Sequence, residues 1–205
     1  LAGLTVTNSF DALLRRTNVA LLDPQSSILA STSYGYDPGS GRLQTVGDGT
    51  NSATYSYVAN SVLVSDIVFA HNEQTVMTTT KSYDWLNRLT AIESRTGVAP
   101  VSVFDYANNA ASQRTAVTNA DGSRWDYQYD ALGQVTSGRK YWADGTPVAG
   151  QQFDYTFDDI GNRKTATRDG QDSDYSANLL NQYTSRTVPG YANILGEATN
   201  MATVT

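Results

Sequence analysis

Aspartate carboxylates are the side chains of this chain with the clearest capacity for chemistry. The chain has 20 acidic residues, one histidine and no cysteine. Two facing carboxylates can catalyse glycoside hydrolysis, and clustered carboxylates can bind Ca²⁺. The aspartates are instead spread singly, at positions typical of turns, where an Asp side chain accepts hydrogen bonds from nearby backbone N–H groups. Turn formation therefore explains them without catalysis.

The sequence gives equally little support for other catalytic, metal-binding or phosphate-binding sites. His71 is the sole histidine, so a multi-histidine metal site is excluded, and no G-x-S-x-G accompanies it. We expect a surface or turn histidine. The spacing in 169–174 does not match a calcium-binding loop, and the glycine-rich segments 37–41 and 47–49 precede no helix that could bind phosphate. We predict no enzyme activity, no cofactor and no metal site.

The aspartates are positioned by a repeat that runs along the chain. A Tyr or Phe precedes an Asp, and an Arg or Gln follows five or six residues after the aromatic residue. The aromatic anchors recur about every 24 residues, a spacing typical of repeat architectures. The residues that we predict to define the repeats structurally are Phe10, Asp11, Tyr36, Asp37, Arg42, Tyr57, Tyr83, Asp84, Arg88, Tyr106, Tyr129, Asp130, Gly133, Phe157, Asp158, Gly161, Arg163 and Tyr175.

Each repeat has the pattern of a β-hairpin. Trp125, Tyr127 and Tyr129 alternate with polar residues, which places the three rings on one face of a strand. The segment 130–133 then predicts a tight turn, and the following residues alternate again. The sequence thus predicts an all-β fold of antiparallel hairpins that form one wide, twisted or spiralling sheet. We expect rings stacked across neighbouring hairpins to stabilise it.

Three anchors depart from the pattern. Tyr57, Tyr106 and Tyr175 are not followed by Asp, and we expect longer or irregular turns after Tyr57 and Tyr106. The segment 37–39 indicates a turn with a one-residue insertion.

Composition narrows the class of protein further. The net charge is −6, with 14 basic residues scattered among the acidic ones, so nucleic acid is excluded as a partner. No apolar stretch is long enough for a membrane-spanning helix.

The repeats run from end to end, so we predict a single repeat region over 1–205 with about eight repeats. Because both ends read as strands, we interpret the chain as a segment of a longer protein.

The pattern Tyr-x-Tyr-Asp-x-x-Gly-Arg-(Leu/Val)-Thr resembles the YD-repeat, or Rhs-repeat, family. It is most complete in 125–136 and 153–165, and the run 175–184 resembles the variant repeat found late in such proteins. The resemblance implies a β-sheet that spirals into a hollow shell. Such shells enclose toxic segments in bacterial polymorphic toxins and in toxin-complex C components, and similar repeats form teneurin barrels. It also implies a bacterial, secreted or cell-surface protein.

Three functions remain open from the sequence. The first is a structural scaffold that encloses or displays other parts of a larger parent protein. The second is a filament subunit that pairs with copies of itself through the edge segments 4–7 and 202–205. The third is a carbohydrate-binding surface in which exposed tyrosines stack on the sugar rings of a glycan partner.

Overall fold

The computed structural model describes residues 3–190, which consist of β-strands, turns and bends and contain no helix. None of these residues therefore provides a helix of the length and apolarity needed to cross a membrane. The strands are β1 Thr5–Phe10, β2 Arg16–Leu22, β3 Ile28–Tyr36, β4 Leu43–Gly47, β5 Asn51–Tyr57, β6 Val64–His71, β7 Gln74–Tyr83, β8 Leu89–Thr96, β9 Ala99–Asn108, β10 Arg114–Asn119, β11 Arg124–Tyr129, β12 Val135–Tyr141, β13 Pro147–Phe157, β14 Arg163–Arg168, β15 Gln171–Ala177 and β16 Tyr183–Arg186.

The chain divides into two units, Leu1–Phe104 and Asp105–Thr205. In the first unit, β1 to β8 pair antiparallel in chain order. In the second unit, β10 to β16 do the same. The predicted all-β fold of antiparallel hairpins is therefore confirmed. The extent of the repeat region, 1–205, stays a prediction.

A β-bulge lies at the end of six outgoing strands, immediately before the aromatic anchor. The strand register shifts immediately before Phe10, Tyr36, Tyr57 and Tyr83 in the first unit. It shifts likewise before Tyr129 and Phe157 in the second unit. A bulge bends the strand and increases its right-handed twist. In these six hairpins we therefore expect the strand to bend at the aromatic anchor, where it enters the turn.

Neither unit has a conventional hydrophobic core. Among residues 3–190, Ala20 is the only buried hydrophobic residue, at 6% exposure, and the buried polar residues are Ser123, Ser137 and Ser173. The strand contacts are those between strands adjacent in the chain. Each unit is consequently stabilised within its sheet, by ladder hydrogen bonds and cross-strand side-chain contacts rather than by packing against a second layer.

Candidate functional site

The turn that follows each anchor is built by its first residue. The Asp11 N–H donates to the carbonyl oxygen of Arg15 at 2.9 Å, and the Leu14 N–H donates back to the Asp11 carbonyl oxygen at 3.0 Å. The Asp11 Oδ1 accepts from the N–H groups of Leu13 and Arg15, both at 2.9 Å. The same backbone pair recurs in turns that begin at Asp84, Asn109, Asp130, Asp158 and Asn178.

The fourth residue of these turns lies in the left-handed region of backbone conformation. Gly133 and Gly161 have φ of 83° and 92°, which glycine adopts without strain. Leu14 occupies the same position at φ 60°, where a side chain is strained. The predicted glycines therefore have a conformational role in two of the turns, and the turn hydrogen bonds impose the same conformation elsewhere.

Two turns are longer by one residue. The Asp37 N–H donates to the carbonyl oxygen of Arg42 at 2.8 Å, and the Val58 N–H donates to that of Leu63 at 2.9 Å. In both, the bond spans five residues instead of four. The one-residue insertion after Tyr36 and the longer turn after Tyr57 are therefore confirmed.

The structure corrects two predictions. The turn after Tyr106 is not irregular, and Tyr175 does not occupy the usual anchor position. We expected an irregular turn after Tyr106, but a standard turn begins at Asn109, whose Oδ1 accepts from the Gln113 N–H at 3.0 Å. Asn178 acts likewise toward Gln182 at 3.1 Å. Asparagine keeps the acceptor oxygen that the turn needs, so it replaces Asp here. The Asn-x-x-x-Gln spacing was a signal in the sequence that we missed.

Tyr106 and Tyr175 consequently occupy a different place from the other anchors. Each lies three residues before the first turn residue, as Tyr127 does relative to Asp130, whereas Tyr129 immediately precedes Asp130. The immediate position is taken by Asn108 and Ala177. Because the usual anchor position is not aromatic in these two repeats, we assigned the anchor to the tyrosine two residues earlier. Residues two apart in a strand point to the same face, so these rings lie on the same face as the usual anchor position.

Four anchor tyrosines bind the preceding repeat through their hydroxyl groups. Each hydroxyl donates to the backbone carbonyl of the residue that starts the preceding repeat's returning strand. The distances are 2.8 Å for Tyr36 to Arg16, 2.6 Å for Tyr57 to Leu43, 2.9 Å for Tyr83 to Val64 and 2.7 Å for Tyr129 to Arg114. This hydroxyl bond is the shared chemistry of the repeat junctions, and sequence reasoning did not find it.

Arginine at the end of the turn makes a second connection to the next repeat. The Arg15 Nε donates to the Asp11 Oδ2 at 2.8 Å, while its guanidinium carbon lies 4.4 Å from the ring centre of Tyr36. Its Nη1 also donates to the carbonyl oxygen of Gly41 at 3.2 Å. Arg88 pairs with Asp84 at 2.7 Å in the same manner. A cation over an aromatic ring is attracted by the electrons of the ring face.

Arg163 is not equivalent to Arg15 or Arg88, which corrects its assignment as the turn arginine of its repeat. The turn from Asp158 closes at Asn162, whose Nδ2 donates to the Asp158 Oδ2 at 2.9 Å. Arg163 follows as the first residue of β14, and its guanidinium lies over the rings of Tyr155 and Tyr175. The six-residue spacing from Phe157 was the misleading signal.

Aromatic rings meet less often than the predicted ladder requires. In the described residues, ring-to-ring stacking joins Trp125 to Tyr127 and to Phe153, each with ring centres 6.2 Å apart. Tyr175 meets Tyr183 edge to face at 5.3 Å. Several other rings lie against guanidinium groups instead. The rings therefore do not form the continuous ladder that we predicted, and some of them stack on arginine.

The turn carboxylates are held in their charged form. Hydrogen bonds from the Asn51 side chain, then from the Asn51 and Thr50 backbone, lower the pKa of Asp48 to about 2. The pKa values of Asp11 and Asp84 are lowered chiefly by the backbone N–H groups of Arg15 and Arg88. A carboxylate that accepts several N–H bonds favours ionisation. These groups act as hydrogen-bond acceptors in turns, not as proton donors near neutral pH.

Within residues 3–190 no group of three or more His, Cys, Asp or Glu side chains converges in a way that could bind a metal ion. His71 ends β6 as an exposed residue, with its Nδ1 2.9 Å from the Asn51 Oδ1. The prediction of a surface histidine is confirmed. The structure brings together turn carboxylates and arginines within repeats, and tyrosine hydroxyls and carbonyls between them.

The comparison with protein families agrees with the repeat pattern. The RHS Repeat family matches residues 109–147. A search of curated proteins finds no match. The crystal structure of TcdB2-TccC3-Cdc42 is similar with a TM-score of 0.49 and 12% identity, over 90% of this chain and 12% of that chain. The Photorhabdus luminescens Tc holotoxin pore, carrying a mutant TccC3, gives a TM-score of 0.38 and 10% identity, over 88% and 15%.

This chain thus spans about an eighth of the length of the first of these structures. The TM-scores are below 0.5, so the description of the fold rests on the strands themselves. The matched residues 109–147 contain the turns that begin at Asn109 and Asp130 and the hydroxyl bond from Tyr129 to Arg114. The resemblance seen in the sequence is confirmed, because residues 109–147 match the RHS Repeat family.

Proposed function

We propose that this chain is a structural segment of a YD-repeat scaffold that encloses or displays other parts of a larger parent protein. The observation that carries the proposal is the junction between repeats, in which a tyrosine hydroxyl of one repeat bonds the backbone of the repeat before it. Each such bond involves only two consecutive repeats. Repeats joined in this way extend a single-layer wall without a hydrophobic core, as an enclosing scaffold requires.

The described residues also support a role without catalysis. Several of their aspartate carboxylates accept backbone hydrogen bonds in turns, and their histidine is exposed at a strand end. We therefore propose that the segment is not an enzyme and that any chemistry belongs to other parts of the parent. By the same family resemblance, the parent is a bacterial secreted or cell-surface protein.

Electron microscopy of the purified native chain tests the scaffold proposal. We expect isolated particles or hollow shells whose mass does not depend on concentration. Regular fibres would contradict the proposal and favour a filament subunit. Light scattering on the same sample is the control, because it distinguishes a discrete assembly from open polymerisation.

One observation favours the filament as a second candidate. All residues of β1, Thr5–Phe10, are exposed, and an exposed strand offers backbone groups to another chain. The predicted docking segment 4–7 overlaps this strand, whereas the second segment, 202–205, lies outside the described residues. Deleting residues 1–10 should abolish fibres if they form through this edge. Fibres that persist after the deletion would exclude this mode of assembly.

A glycan-binding surface is the third candidate, and a specific cleft favours it. Trp125, Tyr127, Phe153 and Tyr155 surround Gly138 in an apolar cleft of about 290 Å³. Gly138 has no side chain, so the cleft is open between the rings. Apolar clefts with a few polar groups are typical of small-ligand sites. A glycan array should show hits that Trp125→Ala removes, and an array without hits would exclude this function.

A further inference from the structure

Three arginines of the second unit surround one cavity. The cavity has a volume of about 320 Å³, and Arg163, Arg168 and Arg186 line it together with Gln171 and Ser173. The three guanidinium groups come from β14 and β16. None of the three guanidinium groups of this arginine pocket takes part in the four tyrosine hydroxyl bonds of the repeat junctions.

The floor of the arginine pocket is made of small side chains. Ala166 of β14 pairs with Ser173 of β15, and Ser173 is only 4% exposed. On the same pair of strands, Arg168 faces Gln171. Short side chains between long ones create a depression in an otherwise flat sheet. The register of β14 and β15 therefore forms the cavity.

Aromatic rings hold the arginines in place. The guanidinium carbon of Arg163 lies 4.7 Å from the ring centre of Tyr155 and 5.8 Å from that of Tyr175. Arg186 lies 5.4 Å from the Tyr175 ring centre. Ring contacts use the face of a guanidinium, so they leave its in-plane N–H groups free to donate. The rings thus orient donors without satisfying them.

Arg168 is held by a different pair of contacts. Its guanidinium carbon lies 5.8 Å from the Phe153 ring centre, and its Nε donates to the carbonyl oxygen of Gly150 at 3.1 Å. The backbone bond uses one donor of five and fixes the direction of the side chain. This bond to Gly150 does not use the remaining N–H groups of Arg168.

The positive charge of the arginine pocket is not neutralised by the part of the chain that the structure describes. The ion pairs there, such as Arg139 with Asp154 at 2.7 Å, do not include Arg163, Arg168 or Arg186. No Asp or Glu lines the cavity. Three guanidinium groups gathered without a carboxylate repel one another, which an anion would relieve.

Two buried donors of the pocket also have no partner. The Arg163 Nε and the Gln171 Nε2 are buried, and neither donates to any atom of residues 3–190. A buried donor without an acceptor is unfavourable, and such groups are uncommon in folded proteins. An oxygen placed in the cavity would satisfy both requirements, since it would accept hydrogen bonds and carry the opposite charge.

From these observations we propose that the arginine pocket is a binding site for an oxyanion, that is, a carboxylate, sulfate or phosphate group. Guanidinium groups match the oxygens of these anions in geometry and form strong charge-assisted hydrogen bonds with them. Gln171 supplies a neutral donor to the same ligand. The site is independent of the scaffold role and of whether the chain assembles.

The oxyanion has two chemical sources, a free inorganic ion or an acidic sugar. Phe153 and Tyr155 line both the arginine pocket and the apolar cleft that contains Trp125. A sugar whose acidic group entered the pocket would therefore place its ring near the cleft. A free ion would use the arginine pocket alone.

Calorimetric titration of the purified chain distinguishes these cases. The probes are sodium sulfate, methyl glucuronide and, as a neutral control, methyl glucoside, all at constant ionic strength adjusted with sodium chloride. We expect saturable binding of sulfate and glucuronide and none of the glucoside. Arg163→Gln should weaken binding about tenfold or more, since it removes a charged donor. Gln171→Leu should weaken it about threefold or more, since it removes only a neutral one.

Matched variants separate loss of the site from loss of the fold. Arg186→Gln changes an exposed residue at the rim and should weaken binding without altering the melting temperature. Arg139→Gln, which removes an arginine outside the pocket, should leave the affinity unchanged. Glucuronide that binds more tightly than sulfate, and loses this advantage in Trp125→Ala, identifies the acidic sugar. Equal affinities that Trp125→Ala does not change identify the free ion.

Two results would overturn the proposal. One is the absence of saturable binding by sulfate and by glucuronide up to about 20 mM, a limit that includes weak sites. The other is an affinity that stays the same in Arg163→Gln, Arg186→Gln and Gln171→Leu, because binding would then take place elsewhere.

Discussion

The hydroxyl oxygen of Tyr83 lies 2.9 Å from the backbone carbonyl oxygen of Val64, which joins the anchor of one repeat to the returning strand of the repeat before it. Burial raises the pKa of the Tyr83 hydroxyl, so the group remains a protonated donor at neutral pH. The same relationship recurs in both units. We therefore expect an anchor tyrosine to stabilise the preceding repeat as well as its own hairpin.

Removing this hydroxyl should destabilise the first unit. In Tyr83→Phe the ring remains, but the Val64 carbonyl loses its side-chain donor, so we expect a loss of about 0.5–1.5 kcal/mol in the free energy of unfolding. Urea denaturation followed by circular dichroism measures the change. Tyr55→Phe is the matched control, because the Tyr55 hydroxyl has no hydrogen-bond partner in the described part of the chain. Equal losses in the two variants would contradict the role of the bond.

Adding the hydroxyl where it is missing should stabilise the second unit. Phe157 occupies the anchor position before Asp158, and the returning strand of its preceding repeat starts at Val135. By equivalence with Tyr129, Phe157→Tyr should donate to the Val135 carbonyl and add about 0.5–1.5 kcal/mol to the free energy of unfolding. Phe10→Tyr is the control, because no returning strand precedes β1 within residues 3–190. An unchanged or lower melting temperature for Phe157→Tyr would count against the equivalence.

The ring of an anchor should matter more than the charge of the residue after it. Tyr129→Ala removes a ring and the bond to Arg114, so we expect a loss of about 2–3 kcal/mol. Asp130→Asn keeps the Oδ1 that accepts from the N–H groups of Leu132 and Gln134, as Asn109 does naturally, so its effect should be small. Thermal denaturation of both variants measures the difference, and equal shifts in melting temperature would refute it.

The folded protein should lose stability in acid, because its turn carboxylates become protonated. The pKa of Asp48 is lowered from 3.8 to about 2 by the Asn51 side chain and by the Asn51 and Thr50 N–H groups. A group whose pKa is lower in the folded state stabilises the fold fully above its unfolded pKa, and this contribution is lost as the pH falls through the folded pKa. The melting temperature should therefore drop as the pH falls from about 4 to about 2.

Variants of this turn test the assignment. Asp48→Asn should reduce the slope of melting temperature against pH in that window, because no carboxyl group titrates at this position. Asn51→Ala should raise the pKa of Asp48 toward its ordinary value and so also reduce the slope. A slope identical to that of the native chain in both variants would mean that other groups cause the acid sensitivity.

Features that depend on neighbours in the chain could be predicted from the amino-acid sequence. Alternating rings such as Trp125, Tyr127 and Tyr129 must share one face of a strand, and an Asp followed by a residue able to adopt a positive φ closes a turn locally. The order of the strands followed, because short turns join each strand to the next. The longer turn at Asp37 could also be found, since an inserted residue is visible in the spacing.

Contacts between residues on different strands could not be predicted from the sequence and became visible in the folded structure. Asn109 and Asn178 were missed as turn residues because the absent aromatic anchors hid the register. The partner of the Tyr83 hydroxyl is a backbone carbonyl, which leaves no mark in the sequence. Arg163 and Arg186 lie on different strands and come together at one cavity only because β14, β15 and β16 pair in a particular register. That register depends on cross-strand pairing, whereas the local pattern fixes only the individual strands.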